Sequence, residues 1–138
     1  MTSTIIPTLK YDDAAAAIDW LCKAFGFQRH LVVPGPGKTI EHAQLTLHGG
    51  MIMLGSARDT AFDALQKPPR AVGGIGTQST YIIVHDVDAH HARAVAAGAE
   101  IVMPPADQDY GGRFYSCRDP EGHLWNFGSY NPWVEAGE

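Results

Sequence analysis

The sequence predicts an α+β fold made of two successive βαβββ modules. Three observations carry that expectation. The chain repeats itself at half its length. Each repeat opens on a short apolar stretch followed by a capped, Ala-rich helix. Each helix is followed by β-type segments with turn signals between them. At 138 residues the chain suits one domain spanning 1–138, with repeat one at about 4–55, a linker at 56–78 and repeat two at about 79–130.

The first repeat begins with TIIPTLKYDDAAAAIDWLCKAFGF over residues 4–27. A short strand leads to an Asp pair, where Asp12 or Asp13 can accept from the free N–H groups of the helix that follows. Gly26 can take the left-handed conformation that ends it. The second repeat, STYIIVHDVDAHHARAVAAGAEIV at 79–102, follows the same plan with Asp86 or Asp88 as cap and Gly98 as stop. Laying Asp13 on Asp86 gives an offset of 73 residues. After the first helix come QRHLVV and IEHAQLTLHGGMIMLG, the latter a hairpin turning at Gly49-Gly50. After the second come EIVMP, GRFYSCR and HLWNFGSY. There Asp119-Pro120-Glu121-Gly122 reads as a type I turn closed by a glycine bulge. Pro68-Pro69 and scattered glycines mark 56–78 as the inter-repeat linker. The tail after Ser129 is expected to be loose or to lie over a partner surface.

Composition excludes several classes of function. The net charge is −5 with acids and bases interspersed, whereas nucleic acids and anionic membranes demand clustered Lys and Arg. No apolar run approaches the roughly 20 residues of a membrane helix, and no basic segment precedes an apolar core at the N-terminus. The expected setting is cytoplasmic, without nucleic acid or membrane as partner. Cys22 and Cys117 are too far apart in sequence for a zinc cassette and read as reduced, buried thiols.

Strand alternation separates faces. In the first hairpin Ala43, Leu45, Leu47, Ile52 and Leu54 share an apolar face that should pack on the helices. His42, Gln44, Thr46, His48, Met51 and Met53 share the other, whose amides, imidazoles and thioethers suit a ligand pocket. In the second hairpin the bulge at Gly122 puts Phe114, Ser116 and Arg118 on one face with Leu124 and Asn126. His90 and His91 are adjacent in the second helix and are expected to be solvated. His123 is expected to hydrogen-bond locally after its turn.

The paired plan, the D-x-x-x-A-x-x-W-x-x-x-x-F-G-F run at 13–27 and DPEGHLWNF together resemble the vicinal oxygen chelate superfamily, which includes glyoxalase I, bleomycin-resistance proteins and extradiol dioxygenases. The opening IIPTLKYDDAAAAIDWLCKAFGF looks most like its PhnB-like and bleomycin-resistance-like members. The resemblance implies a U-shaped mixed sheet enclosing a pocket, and a homodimer. Enzymes of that family hold a divalent metal through His or Gln on each first strand and Glu on each last strand. The corresponding positions here are Ile6 or Thr8, Met53, Ser79 and Asn126. Thr, Met, Ser and Asn do not make a strong ligand set for such an ion. The expectation is therefore no metal and no cofactor.

The implied function is binding of a small organic molecule, with sequestration of a planar or aromatic compound the leading form. Expected ligand contacts are Thr8, His42, Gln44, Met53, Ser79, Tyr81, Tyr110, Arg113, Phe114, Ser116 and Asn126, with Trp125 or Trp133 as further aromatic candidates. Tyr110 and Arg113 belong to the Gly-rich stretch DQDYGGRFY, placed near the barrel mouth. Trp20, Phe25, Trp125 and Phe127 read as core. The alternative is a lyase, isomerase or dioxygenase-type enzyme using a displaced metal site or acid–base chemistry at His42.

Overall fold

The computed structural model describes residues 2–134; the domain expected over 1–138 includes Met1 and residues 135–138, which lie outside the described residues. The order is β1 (Thr8–Tyr11), α1 (Ala14–Phe25), β2 (Gln28–Pro34), β3 (Ile40–Leu47), β4 (Gly50–Ser56), β5 (Thr80–Ile83), α2 (Val87–Ala96), β6 (Glu100–Asp107), β7 (Arg113–Arg118) and β8 (Leu124–Gly128). The strands form two four-stranded mixed sheets of order β1-β4-β3-β2 and β5-β8-β7-β6. In each, the first strand runs parallel to the last and the rest are antiparallel. The two βαβββ modules are thus present. The expected linker is not featureless: it carries 3₁₀ turns at Phe62–Ala64 and Pro69–Val72.

Local chemistry sets the element ends. The Asp13 carboxylate accepts from the Ala16 N–H, and Asp86 does the same for Ala89. Gly26 ends α1 in the left-handed region. At the second hairpin the Gly122 N–H donates to the Asp119 carbonyl with Gly122 at φ 92°, giving the expected bulged register in which Ser116 faces Asn126 and Arg118 faces Leu124. The first hairpin differs from expectation by one residue. Leu47 pairs with Gly50, so the turn is His48-Gly49, and His48 takes a φ of 55°. A turn centre moved by one residue moves each cross-strand partner by two, so the faces stay as expected while Gln44 comes opposite Met53.

One core joins the modules. The helix-facing side chains of the first sheet (Leu9, Ala43, Leu45, Ile52, Leu54) and of the second (Tyr115, Cys117, Trp125, Phe127) belong to one buried cluster with Ile18, Leu21 and Phe25 of α1 and Val87 and Ala94 of α2. Polar contacts tie the helices across this seam. The Trp20 indole N–H donates to the Ala97 carbonyl, and Arg93 donates to the carbonyls of Cys22 and Lys23 at the C-terminal end of α1, where a cation is favoured. Among the described residues no helix is long and apolar enough to cross a membrane.

Both helix histidines, His90 and His91, are half-buried, and the His90 ring is bonded to protein at both nitrogens rather than solvated, whereas the His91 ring has no hydrogen-bond partner among the described residues. The His90 Nε2 lies 3.1 Å from the Phe25 carbonyl, which can only accept, so Nε2 carries the proton. Its Nδ1 therefore accepts from the Tyr115 hydroxyl at 2.6 Å. Burial holds the His90 pKa below the usual imidazole value. The unfolded chain then takes up this proton first as pH falls. The stability due to neutral His90 is present above the unfolded value of about 6.5 and is lost as pH drops through the folded one. In urea titrations between pH 7.5 and 5, the wild type should lose more stability than His90→Gln. Equal slopes would remove His90 as the source.

The turn opening β8 docks the second module onto the first. Asp119 and Glu121 are both buried. The Asp119 carboxylate accepts from the Tyr11 hydroxyl (2.6 Å), the Trp125 indole N–H (3.0 Å) and the backbone N–H groups of Glu121 and His123. Glu121 accepts from the N–H groups of Asp12 (2.6 Å) and Asp13 (2.9 Å) at the start of α1. The His123 ring does not bond locally. Its Nε2 meets the Lys10 carbonyl of the first module at 2.9 Å.

Candidate functional site

In each sheet the side away from the helices carries a row of side chains built by the same register. In the first sheet Thr8 lies beside Met53 and Met53 beside Gln44. In the second, Tyr81 lies beside Asn126 and Asn126 beside Ser116. The rows extend to Leu31 and Met103, which are also paired in register and exposed. Thr8 and Tyr81, like Met53 and Asn126, are separated by the repeat offset of 73. The row of the second module therefore begins at Tyr81; Ser79 corresponds to Ile6.

The second row is tightly knit. Ser116 donates to the Asn126 Oδ1 at 2.7 Å, and the Asn126 Nδ2 donates to the Ser79 hydroxyl at 2.9 Å and the Thr80 carbonyl at 3.1 Å. The carboxamide is thus committed on both sides. Tyr81 lies nearly parallel to Phe114, at 9° with ring centroids 6.4 Å apart, and its hydroxyl donates to the Tyr130 carbonyl. Gly128 makes room for that ring: a Cβ there would fall 2.6 Å from the Tyr81 hydroxyl oxygen. The result is an aromatic shelf beside an amide and two hydroxyls.

In the first row Gln44 and His42 are joined, Gln44 Nε2 lying 3.0 Å from His42 Nε2. With the amide nitrogen donating, that imidazole nitrogen accepts and is not open to a ligand. Lys10 shares this face and reaches into the inter-module segment, pairing with the buried Asp63 at 3.4 Å under the Phe62 ring. Asp63 also accepts from the Thr60 hydroxyl and the Arg58 N–H, which with Lys10 bring its pKa down to about 2.

Between the edge strands β1 and β5 runs an open groove of about 1170 Å³, lined by Thr8, Ser79 and Tyr81 together with Phe27, Gln66 and Leu124. It brings together only those three of the expected contacts. His42, Gln44 and Met53 stay on the first sheet, and Phe114, Ser116 and Asn126 on the second. Among the described residues no hydrogen bond, ion pair or ring contact links the two sets. Two expected contacts sit elsewhere. Arg113 is drawn to the helix side by Asp88 (3.0 Å) and Asp107 (3.2 Å). Tyr110 is exposed and packs edge-on against Tyr130. Trp125 is core, whereas Trp133 is 89% exposed and borders the groove. Leu31, Met103 and the segment residues Gln66 to Gln78 were not expected at the site. The period-two pattern could have indicated Leu31, but nothing local points to the segment.

The donor chemistry of the rows does not fit a divalent metal. Hydroxyls, a thioether and carboxamides make up the rows, and the imidazole beside them, His42, is tied to Gln44. Among the described residues no three His, Cys, Asp or Glu side chains gather as a ligand set.

Comparison with known proteins points one way. A model of the Glyoxalase/Bleomycin resistance protein/Dioxygenase superfamily matches residues 7–127. The chain is 38% identical to TioX from Micromonospora sp. ML1, whose crystal structure superposes with a TM-score of 0.74 over 94% of this chain and 99% of that one. It is also 38% identical to an uncharacterized protein of Mycobacterium tuberculosis over 122 residues, 88% of this chain and 71% of that protein. The fosfomycin resistance protein FosX from Mesorhizobium loti shares the fold, with a TM-score of 0.66 over 96% of each chain at 11% identity.

Proposed function

Because the chain belongs to the Glyoxalase/Bleomycin resistance protein/Dioxygenase superfamily, we propose that it is a metal-free, cytoplasmic protein that binds and sequesters a planar or aromatic small molecule. The observation that carries this reading is the composition of the two equivalent rows. Thr8, Met53 and Gln44 on one sheet and Tyr81, Asn126 and Ser116 on the other offer apolar and hydrogen-bonding surface without a metal ligand set. Tyr81 and Phe114 supply rings against which a flat ligand stacks, worth roughly 0.5–1.5 kcal/mol beyond burial.

Each row is open within the protomer, and exposed Leu31, Val33, Tyr81 and Met103 leave apolar surface on both sheets. A homodimer that sets the first row of one subunit over the second row of its partner encloses two pockets and covers these side chains. The expected result is a dimer in solution whose melting temperature rises with a planar aromatic ligand, since binding favours the folded state. Tyr81→Ala or Phe114→Ala should lower affinity about 3- to 10-fold. Protein purified without chelator should carry well under one transition metal per chain. A stoichiometric metal lost on His42→Ala, or ligand affinity indifferent to both aromatic substitutions, defeats the proposal. One observation favours the enzymatic alternative: half-buried His42 is held in one orientation by Gln44. Turnover abolished in His42→Gln with binding retained would replace sequestration by catalysis.

A further inference from the structure

Beside the second row, Arg118 is left with one protein partner. It lies on the same face as Ser116 and Asn126, opposite Leu124, and its Nη1 donates to the Gly74 carbonyl at 3.2 Å. Its Nε is shielded from solvent with no acceptor. The ion pairs among the described residues engage Lys10, Arg29, Arg70 and Arg113, and none includes Arg118. The acids nearest in sequence are committed elsewhere, Asp119 to Tyr11 and Trp125 and Glu121 to the start of α1. Glu100 faces Arg118 in strand register but forms no ion pair with it. The guanidinium Nη2 makes no hydrogen bond among the described residues either, so this permanent cation has one carbonyl partner and no counter-charge, and an anion at its open Nη2 edge would be favoured.

Arg118 borders a pocket of about 250 Å³ whose other walls are Gly74 to Ser79, Gly122 and Leu124. No carboxylate lines it. The backbone N–H groups of Ile75 to Gln78 donate to no protein acceptor among the described residues. The pocket is continuous with the groove, the two sharing Gly76, Thr77, Gln78, Ser79 and Leu124. From this geometry we infer that the pocket is an anion subsite in which Arg118 pairs with a carboxylate or similar planar oxyanion of the ligand. Its rings would then extend into the groove toward Tyr81. The inference rests on the aromatic-ligand reading and narrows it to acidic aromatic compounds. The guanidinium fork suits a carboxylate held by two parallel bonds.

The test uses the full chain labelled with ¹⁵N, at ionic strength held constant with chloride. Its probes are sodium acetate, sodium 2-naphthoate and the neutral 2-naphthamide. The Arg118 Nε–H resonance, identified by its loss in Arg118→Gln, is expected to move saturably with acetate. With 2-naphthoate it should do so at about tenfold lower concentration. Naphthoate should also bind at least about tenfold more tightly than naphthamide, an advantage absent from Arg118→Gln. A resonance indifferent to both anions overturns the subsite and points to a guanidinium already paired across a subunit contact. A naphthoate preference that survives Arg118→Gln overturns it equally. If acetate moves the resonance but naphthoate gains nothing over acetate, the anion subsite stands and the aromatic reading falls.

Discussion

Asp119→Ala should be among the most damaging single substitutions in this protein, lowering unfolding free energy by about 3–5 kcal/mol in urea or guanidinium titrations. The side chain accepts four hydrogen bonds with its two oxygens. Its removal leaves the Tyr11 hydroxyl and the Trp125 indole N–H buried at 1% exposure without an acceptor. Leaving such a donor unpaired costs about 1–3 kcal/mol, more than the bond contributed when made. Asp119→Asn separates geometry from charge. It keeps the shape but presents an NH₂ group to one pair of donors, so it should recover only part of the loss. Tyr11→Phe, which removes one donor and leaves the carboxylate its other three, should cost about 1 kcal/mol. A change below that for Asp119→Ala would show that the turn does not hold the modules together.

Phe25→Ala should cost a further class of energy, about 3–5 kcal/mol, through a cavity at the seam. Phe25 is the last residue of α1 and is 1% exposed. Its ring meets Phe127 at 4.7 Å, Trp125 at 5.4 Å and His90 at 5.9 Å across the seam, and Trp20 at 5.0 Å within its own helix. Collapse into the space is opposed because the His90, Trp20 and Trp125 rings around it are themselves held by hydrogen bonds. Phe25→Leu should cost less than half as much. Near-UV circular dichroism gives a second readout, since the tryptophan and phenylalanine environments at the seam should lose their asymmetry before helix content falls. Loss of both signals together at unchanged stability would place the effect outside the seam.

These two residues also mark where the sequence was informative and where it was not. Caps and bulge are local: Asp13 and Asp86 need only the next three residues to act, and Gly122 only its own turn. They were legible for that reason. The His48-Gly49 turn departed from the Gly49-Gly50 expectation, yet the face assignment survived because strand parity tolerates an even shift. The seam depends on residues some 65 to 113 positions apart, such as His90 with Phe25 and His123 with Lys10. Nothing in AHHARA announces that one imidazole of two will bond both a tyrosine of β7 and a carbonyl of α1. Arg113 is a different case: a glycine-rich loop suits a ligand contact, but as the first residue of β7 it alternates to the face opposite Phe114, where Asp88 and Asp107 hold it. Phe114, one residue later, alternates back toward the site. The inter-module segment lines the groove for a reason absent from its composition: Lys10, Thr8 and Arg118 hold it there through Asp63, Gln66 and Gly74.

The contacts that join the modules come from α1, α2, the helix-facing rings and the Asp119–His123 turn, while the rows of the candidate site stand on the opposite sides of the sheets. On the proposed reading, stability and recognition draw on separate sets of side chains. Met53, Gln44 and Phe114 are half-buried and Tyr81 is exposed, so substitutions there fall in the class that changes stability least, unlike those at buried Ser116 or the hydrogen-bonded Asn126. On that reading the scaffold is evolvable in a specific sense: Met53, Gln44, Tyr81 and Phe114 could be exchanged singly to suit another ligand, without a compensating change at the seam.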